Sequence, residues 1–341
     1  MSNTCKFTCT CESPPVIDLT GSFTGEADES SELLLSSTLS RWGWCHVAVD
    51  PSSLSCSFVK PDFVKFFEQE EIESLQQQGG AIYRGRSAES GSSASEQAEP
   101  KQSWEVQRCG DSTPTPLHDY MNVLHSIAVT VTKLLCLPEN TVLQEGACSC
   151  CDGDCAKCNI DLMRVFLYDP AHPTLGSSAH TDWGSWTVVW QDGTGGLQTY
   201  CPEHERYVDV KAHQNDSKVY FVVHVGDVTS LAFGHASKEG TKVAFPSPKH
   251  RVICPREAPR VSLVYFAYPP PSISLADIER RLENHSILND SKVSYGSYYL
   301  LQNQTPGGHV EDPETVYQSI RTKRLSEVFR AKWEQVQRSS Y

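Results

Sequence analysis

The sequence predicts an α+β protein whose core is a double-stranded β-helix (jelly-roll) flanked by helices. Between Asp161 and Tyr268 the chain shows short runs of β-branched and aromatic residues broken by turn residues, and no helical pattern separates these runs. Apolar residues at helical spacing occur before and after this region. Together these observations favour a rolled-up sheet with helices around it over alternating strand and helix units.

We interpret residues 15–341 as a single domain that follows a polar, cysteine-dotted tail at residues 1–14. Its successive parts are a helix-rich region at 15–140, the jelly-roll core at about 160–270 and C-terminal helices at 275–338. The segment Ser87–Lys101 is nearly all Ser, Ala, Glu, Gln and Gly, which predicts an exposed loop. The other predicted elements outside the core are strands at Val16–Leu19 and Trp42–Val49, and helices at Ser30–Ser40, Lys60–Gln78, Pro116–Leu137, Leu275–Asn284 and Pro313–Gln337.

Composition limits the classes of partner. The formal net charge of -13 and the isoelectric point near 5.4 argue against nucleic acid, because a protein that binds the phosphate backbone needs a basic surface. The N-terminus has no apolar core of a signal peptide, and no apolar run is long enough to span a bilayer. We therefore expect a soluble cytoplasmic protein whose 14 cysteines are mostly reduced thiols.

A histidine and an aspartate lie two residues apart just before the strand pattern that begins at Trp186. Side chains alternate between the two faces of a strand, so His180 and Asp182 point the same way while Thr181 points the other way. Two histidines and one carboxylate on one face of a cation form the facial triad that holds non-heme Fe(II). The pair therefore supplies two of the three ligands of such a site.

The third ligand must come from another strand, and three histidines compete for this role. His250 directly precedes Arg251 and the β-branched pair Val252 and Ile253, and it is our candidate. His224 lies in the apolar strand 219–225, which favours a histidine that packs in the core. His235 follows Phe233 and Gly234 in a predicted loop. A further His-x-carboxylate pair, His309 and Glu311, falls in a Gly- and Pro-rich turn without strand alternation and is read as loop.

An arginine and a serine share one face of the next predicted strand. Arg260 and Ser262 alternate with apolar Val261 and Leu263. A guanidinium group binds a carboxylate through two parallel hydrogen bonds, and a serine hydroxyl adds another. The order His-x-Asp, His, Arg-x-Ser is much more specific than any of its parts.

These motifs resemble the 2-oxoglutarate and Fe(II)-dependent dioxygenases of the isopenicillin N synthase-like group. The resemblance runs from about Pro15 to Tyr268. Besides the motifs above, it is carried by Pro15–Leu19, Trp42–Val47, Met163–Pro170, Ser177–Gln198 and Val225–Asp227.

The resemblance implies the chemistry and the ligands. His180, Asp182 and His250 would hold Fe(II), and Arg260, Ser262 and Tyr168 would bind the distal carboxylate of 2-oxoglutarate. Oxygen would be the second cosubstrate and ascorbate the reductant. The reaction would oxidise a C–H bond of a small molecule and convert 2-oxoglutarate to succinate and carbon dioxide, and we expect a place in specialised metabolism. Trp183 and Arg164 are candidate substrate residues.

The sequence leaves some alternatives open. Many relatives carry Asn two residues before the tyrosine, where this chain has Phe166. Isopenicillin N synthase keeps the Arg-x-Ser motif without using 2-oxoglutarate, so an oxidative cyclase or desaturase that forms a ring is a second reading. A catalytically silent metal-binding or sensor protein on the same scaffold is a third. The sequence does not predict the oligomeric state.

A compact group of cysteines precedes the predicted core. Cys155 and Cys158 have metal-ligand spacing, and Cys150 and Cys151 would complete a tetrathiolate zinc site. Strong zinc signals have two well-separated Cys-x-x-Cys pairs, whereas the run from Cys148 to Cys158 is compressed. A reduced surface loop and a redox-sensing disulfide are the other readings.

Overall fold

A computed structural model of the chain describes residues 13–24, 29–68, 81–86, 101–107, 116–138, 141–143, 161–170, 175–214, 217–236, 245–254, 256–282, 300 and 312–338. In these residues the strands form one sheet of eight and one of four. The strands are β1 Val16–Asp18, β2 Trp44–Val49, β3 Ala81–Arg86, β4 Lys101–Gln107, β5 Leu162–Tyr168, β6 Leu175–His180, β7 Trp186–Gln191, β8 Leu197–Cys201, β9 Arg206–Asp209, β10 Val219–Val225, β11 His250–Ile253 and β12 Arg260–Ala267.

The described helices are numbered in chain order. They are α1 Thr20–Thr24, α2 Glu29–Trp42, α3 Lys60–Glu68, α4 Pro116–Leu134, α5 Asp227–Ala236, α6 Leu275–Leu282, α7 Pro313–Ile320 and α8 Leu325–Arg338. No helix among them combines the length and the apolar character needed to cross a membrane.

The sheet topology is that of a jelly roll. The larger sheet has the order β1-β2-β10-β7-β12-β5-β4-β3 and the smaller sheet the order β6-β11-β8-β9. Only the β1–β2 pair is parallel among the described strand pairs. The predicted α+β class with a jelly-roll core is confirmed.

Strand alternation gives the larger sheet two different faces. Its outer face packs on the helices, with Val188 and Leu263 in the same apolar cluster as Leu124 of α4. Its inner face contributes Val189 and Val222 to a second cluster, which also contains residues of the smaller sheet such as Leu197 and Val252. The space between the two sheets therefore contains an apolar cluster, and any polar side chain buried on the inner face needs a partner there.

Several predicted elements are confirmed, and other parts of the prediction are wrong. The helices at Ser30–Ser40, Pro116–Leu137 and Leu275–Asn284 and the strand at Trp42–Val49 are present with shifted ends. Strands β3 and β4 were not predicted, and Lys101, assigned to a loop, begins β4. The rest of that predicted loop and the end of the Lys60–Gln78 helix lie outside the described residues, as do residues 1–12 of the predicted tail.

The helix α5 was missed because its buried surface hides the helical period. Val228, Leu231, Ala232 and Phe233 are all buried, and so are the polar residues between them, so no exposed polar face marks the helix. His235, predicted in a loop, belongs to the last turn of this helix. The single helix predicted at Pro313–Gln337 is two helices, because the turn between them is fixed to α6: the carbonyl of Arg321 accepts the Ala276 N–H, and its guanidinium pairs with Glu279 at 2.6 Å.

A buried hydrogen-bond chain connects α4 to the start of β5 and to β12. The hydroxyl of Tyr265 donates to Oδ2 of Asp161 at 2.6 Å and accepts from Nδ1 of His125 at 2.9 Å. We expect Tyr265→Phe to lower the free energy of unfolding by about 1–3 kcal/mol, because both partners then lose a hydrogen bond inside the core. Urea unfolding measures this change. Tyr200→Phe, in the smaller sheet, is the control. Equal losses of unfolding free energy in the two variants would contradict a stabilising role of the buried hydrogen-bond chain.

The buried histidine of β2 is expected to make the stability of the protein depend on pH. His46 is buried, and its Nε2–H donates to the carbonyl of Lys211 at 2.9 Å. Burial, followed by the nearby His213 ring, lowers the pKa of His46 to about 4. The unfolded chain takes up this proton below its ordinary pKa of about 6.5 and the folded chain resists it, so stability is lost as the pH falls from about 6.5 towards 4.

We therefore expect the wild-type protein to lose roughly 2 kcal/mol more than His46→Gln between about pH 7 and pH 5. Glutamine places an amide N–H where the imidazole Nε2–H lies, so the hydrogen bond is kept and the titration is removed. Urea unfolding at the two pH values measures the difference. The same loss in both proteins would show that His46 does not cause it.

Candidate active site

Two histidines and one aspartate meet at one end of the smaller sheet. His180 ends β6 and His250 begins β11, and the two are direct partners in the antiparallel pair. Their ring centroids are 4.4 Å apart. Asp182 follows β6 by two residues, and its two carboxylate oxygens lie 3.6 Å from Nε2 of His180 and 3.6 Å from Nε2 of His250. One donor atom from each residue fits within a group 4.8 Å across.

Each histidine of this group is held in the tautomer that a metal requires. Nδ1 of His180 lies 2.6 Å from the carbonyl of Ser178, and Nδ1 of His250 lies 3.0 Å from the carbonyl of Pro248. A carbonyl only accepts, so Nδ1 carries the proton in both rings. The lone pair of each Nε2 then points to Asp182, as in histidines that bind a metal and are oriented by a second hydrogen bond.

The ionisation states also suit a cation. Burial and the neighbouring His250 lower the pKa of His180 below its ordinary value, which keeps the ring neutral. Burial of Asp182 raises its pKa, but His250, His224 and His180 together outweigh this and hold it well below its usual range. Neutral imidazoles and an ionised carboxylate are the forms that bind a metal.

The turn that carries Asp182 is fixed by the first residue of α5. Asp227 donates its backbone N–H to the carbonyl of Asp182 at 2.7 Å and accepts the hydroxyl of Thr181 at 3.1 Å. The same carboxylate accepts the backbone N–H of Leu300 at 2.8 Å. Thr181 thus points away from the metal ligands, as strand alternation predicts, and helps to hold them in place.

A second polar group lies on the inner face of the larger sheet. Arg260 is 1% exposed, and its Nη1 donates to the hydroxyl of Ser262 at 2.9 Å while its Cζ lies 4.9 Å from the centre of the Tyr168 ring. These are the three residues predicted to bind a carboxylate, and the structure brings them together. The remaining hydrogen bonds of Arg260 go to the carbonyl of Gly195 and to Oε1 of Gln191, so no acidic side chain of the described residues neutralises it.

Sequence reasoning missed Gln191, although β7 places it directly opposite Ser262. Its Oε1 accepts from Nη2 of Arg260 at 3.2 Å, and its buried Nε2 has no hydrogen-bond partner in the described residues. Strand alternation from Trp186 to Gln191 was the available signal. The loop after β7 approaches the same arginine: Gly196 has φ +96°, and a Cβ there would lie 2.5 Å from the carbonyl oxygen of Ile253, so only glycine fits.

A third imidazole, that of His224, lies beside the three-residue group. Nδ1 of His224 is 3.8 Å from Oδ2 of Asp182, and the ring centroids of His224 and His250 are 4.6 Å apart. Burial lowers the pKa of His224 to about 4, so the ring is neutral at physiological pH. His224 is buried, as the sequence predicts, but it is also a neighbour of the site. An all-apolar strand pattern cannot separate these two cases.

The two predicted substrate residues have other contacts. Nε of Arg164 lies 3.0 Å from Oε2 of Glu105 on β4, so its charge is already paired. Trp183 is partly buried and packs against the larger apolar cluster, which includes the helices. A substrate role for both stays a prediction.

Lys101 begins β4 and is a further cation on the inner face of the larger sheet, although sequence reasoning placed it in a loop. It is 7% exposed, and its Nζ lies 3.4 Å from the hydroxyl of Ser177 and 4.9 Å from the centre of the Phe166 ring. Phe166 is the residue that replaces the asparagine common among relatives. Lys101 therefore contacts the position at which this chain differs from many relatives.

Two other possible metal groups differ from the site above. The cysteine run that includes Cys150, Cys151, Cys155 and Cys158 lies outside the described residues. Cys201, Glu203 and His204 form a second group of donors in the turn after β8, with Sγ of Cys201 3.5 Å from Nδ1 of His204. Glu203 and His204 are exposed, which is the usual setting of hydrated surface groups.

Comparison with known proteins gives matches in the same part of the chain. Residues 159–269 match the family model of the 2OG-Fe(II) oxygenase superfamily. Gibberellin 3-beta-dioxygenase 2-3 of Triticum aestivum is 35% identical over 108 residues, which are 32% of this chain and 26% of that protein. Naringenin,2-oxoglutarate 3-dioxygenase of Matthiola incana is 26% identical over 145 residues, 41% of this chain and 37% of that protein. The chain thus spans about a quarter to two fifths of these relatives.

Solved structures match over a larger share of the fold. A 2OG-Fe(II) oxygenase family protein from Caulobacter crescentus aligns with a TM-score of 0.53 and 15% identity, over 90% of this chain and 98% of that chain. Dioxygenase for auxin oxidation 1 from Arabidopsis thaliana, in complex with 2-oxoglutarate, aligns with a TM-score of 0.51 and 16% identity, over 75% of this chain and 92% of that chain. At these identities the likeness concerns the fold.

Proposed function

We propose that this chain is an Fe(II)- and 2-oxoglutarate-dependent oxygenase that oxidises a small molecule, because residues 159–269 match the family model of the 2OG-Fe(II) oxygenase superfamily. The observation that carries this proposal is the pairing of two groups. His180, Asp182 and His250 offer three converging donors, and Arg260 offers a buried positive charge without an acidic partner among the described residues.

The donor set fits the cation that the family uses. Two imidazole nitrogens and one carboxylate form a facial set for Fe(II), with further coordination positions left open. Nε2 of His180 and Nε2 of His250 each lie 3.6 Å from an oxygen of Asp182, so the three donors are close enough to share one cation. The site is least covered at His180, whose side chain is 28% exposed, so this side is available to reactants.

The carboxylate site fits 2-oxoglutarate. A buried arginine without a counter-ion costs free energy, and an anionic ligand removes that cost. The guanidinium and the hydroxyl of Ser262 lie beside Tyr168 on the inner face of the larger sheet, and this group would hold the distal carboxylate of 2-oxoglutarate. When bound, iron and 2-oxoglutarate supply the oxidation chemistry, in which a C–H bond is oxidised and succinate and carbon dioxide are formed.

The protein's own residues then orient the substrate and exclude water. The inner cluster around Trp44, Val189, Val222 and Leu197 is apolar, which favours a substrate with a largely hydrocarbon surface. The wheat and Matthiola relatives are named for gibberellins and for the flavanone naringenin. We propose a substrate of this kind of specialised metabolism.

Succinate release tests the proposed function. Purified protein is supplied with Fe(II), ascorbate and 2-oxoglutarate under air, with gibberellin precursors, flavanones and then mixed plant and microbial metabolite extracts. We expect succinate formation that depends on both metal and substrate. Mass spectrometry distinguishes a product with one more oxygen from a ring-closed or desaturated product that is two hydrogens lighter. If the protein binds neither Fe(II) nor 2-oxoglutarate in anaerobic titration, the proposal is wrong.

A further inference from the structure

His224 occupies a position beside the metal ligands that the proposed reaction does not explain. It lies on β10, where its strand partners are Trp44 and Thr187, and its side chain faces the space between the sheets together with Val222. It is 0% exposed. Its Nδ1 points at Oδ2 of Asp182 from 3.8 Å, nearly the distance that separates each proposed histidine ligand from this carboxylate.

Three atoms at this contact lack hydrogen bonds. Both ring nitrogens of His224 and Oδ2 of Asp182 are buried and without a partner among the described residues. Buried polar atoms of this kind are rare in folded proteins and call for an explanation. A neutral imidazole always has one N–H donor, and the unpartnered carboxylate oxygen lies 3.8 Å from its Nδ1.

Neither the two ligand histidines nor Thr181 has a donor left for this oxygen. The Nδ1–H groups of His180 and His250 are used on backbone carbonyls, and their Nε2 atoms carry lone pairs. The hydroxyl of Thr181 donates to Asp227. A hydrogen bond requires roughly 2.7–3.2 Å, so the His224 ring has to move by less than about 1 Å to complete it.

We propose that His224 is a positioning residue of the metal centre, which donates Nδ1–H to Oδ2 of Asp182 and leaves Oδ1 to bind the cation. This inference rests on the proposed function. The proposed hydrogen bond from His224 gives the Asp182 carboxylate one fixed orientation, so that the carboxylate binds the metal through a single oxygen. A role as fourth ligand fits less well, because four protein donors leave too few positions for a chelating keto acid and a further reactant, and His224 is not part of the compact donor group.

Substitution of His224 by asparagine or by glutamine distinguishes the roles of its two ring nitrogens. The side-chain N–H₂ of asparagine lies where Nδ1 of histidine lies, and that of glutamine lies where Nε2 lies. His224→Asn therefore keeps the proposed donor, while His224→Gln and His224→Leu remove it. His46→Leu is the matched control, because it deletes a buried histidine from the neighbouring strand β2.

Co(II) is the probe, since it is stable in air and its visible spectrum reports the coordination. We expect His224→Leu and His224→Gln to weaken Co(II) binding by about 10–100-fold, the usual effect of losing a partner that orients a metal ligand. His224→Asn and His46→Leu should stay within about threefold of the wild-type affinity. Thermal unfolding of the metal-free proteins checks that each variant is folded.

Two results would overturn the inference. If His224→Leu binds Co(II) like the wild type, the imidazole only fills space. If His224→Asn is as weak as His224→Leu and the Co(II) spectrum changes in both, His224 is a ligand. Should His224→Leu fail to fold, the comparison of the Asn and Gln variants still decides. A wild-type protein that binds no Co(II) refutes the proposed function itself, whereas wild-type binding with unchanged variants refutes only the role of His224.

Discussion

Replacement of Asp182 by alanine is expected to abolish metal binding. Asp182 is the one anionic donor of the proposed set, and it is almost completely buried, so its attraction to a divalent cation is weakly screened. We expect the affinity for Fe(II) or Co(II) to fall by roughly 1,000-fold or more, which corresponds to about 4 kcal/mol. The charge-transfer band that Fe(II) and 2-oxoglutarate form together under anaerobic conditions should disappear, and succinate release with it. Metal titration and visible spectroscopy measure both effects.

The control for this variant is Asp209→Ala. Asp209 is a carboxylate of the smaller sheet that accepts a hydrogen bond from Gln198 and is exposed, so its loss should leave metal affinity unchanged. Metal-free Asp182→Ala should remain folded, because both ligand histidines keep the backbone hydrogen bonds at their Nδ1 atoms. Unchanged metal affinity in Asp182→Ala would refute the assignment of the site.

Substitution of Arg260 by methionine is expected to separate cosubstrate binding from metal binding. Methionine fills a similar length without charge, so the proposed anchor for the distal carboxylate is lost. Hydrogen bonds to charged groups contribute about 1.5–3 kcal/mol each, and we expect the dissociation constant of 2-oxoglutarate to rise by roughly 100-fold. The Co(II) affinity measured without 2-oxoglutarate should not change. Anaerobic titration of the Fe(II)-loaded protein with 2-oxoglutarate gives the first value.

Arg251→Met is the matched control for charge. Arg251 directly follows a proposed metal ligand, but its guanidinium lies over the ring of Tyr207 at 3.9 Å and bonds to Gln198. Its loss should leave the affinity for 2-oxoglutarate within about threefold of the wild type, because surface charges act weakly through solvent. Equal weakening in both variants would mean that general electrostatic attraction, and not a specific anchor, binds the cosubstrate.

The ordered motifs predicted the centre of the site better than they predicted its surroundings. His180 and Asp182 follow from strand alternation, and the downstream order of His250, Arg260 and Ser262 completes the pattern. Their placement together in the structure is consistent with that prediction. The residue roles themselves await the measurements above.

The surroundings depend on contacts that a local pattern does not contain. His224 lies in a continuous apolar strand, where one polar residue can equally face the core or a ligand. Lys101 and Glu105 belong to β4, which follows a segment without any regular hydrophobic period. The first seven residues of α5 are all buried, and the turn at Arg321 is set by α6, so neither feature has a signal within its own sequence.

The way the N-terminal strands join the larger sheet limits how this protein can be shortened. Residues 159–269 carry the family motifs, yet β10 within them pairs with β2, and β5 pairs with β4. A fragment that began after residue 107 would leave both of these strands with open edges, which invite aggregation. The smallest autonomous unit of this chain is therefore larger than its motif region and includes β2 and β4.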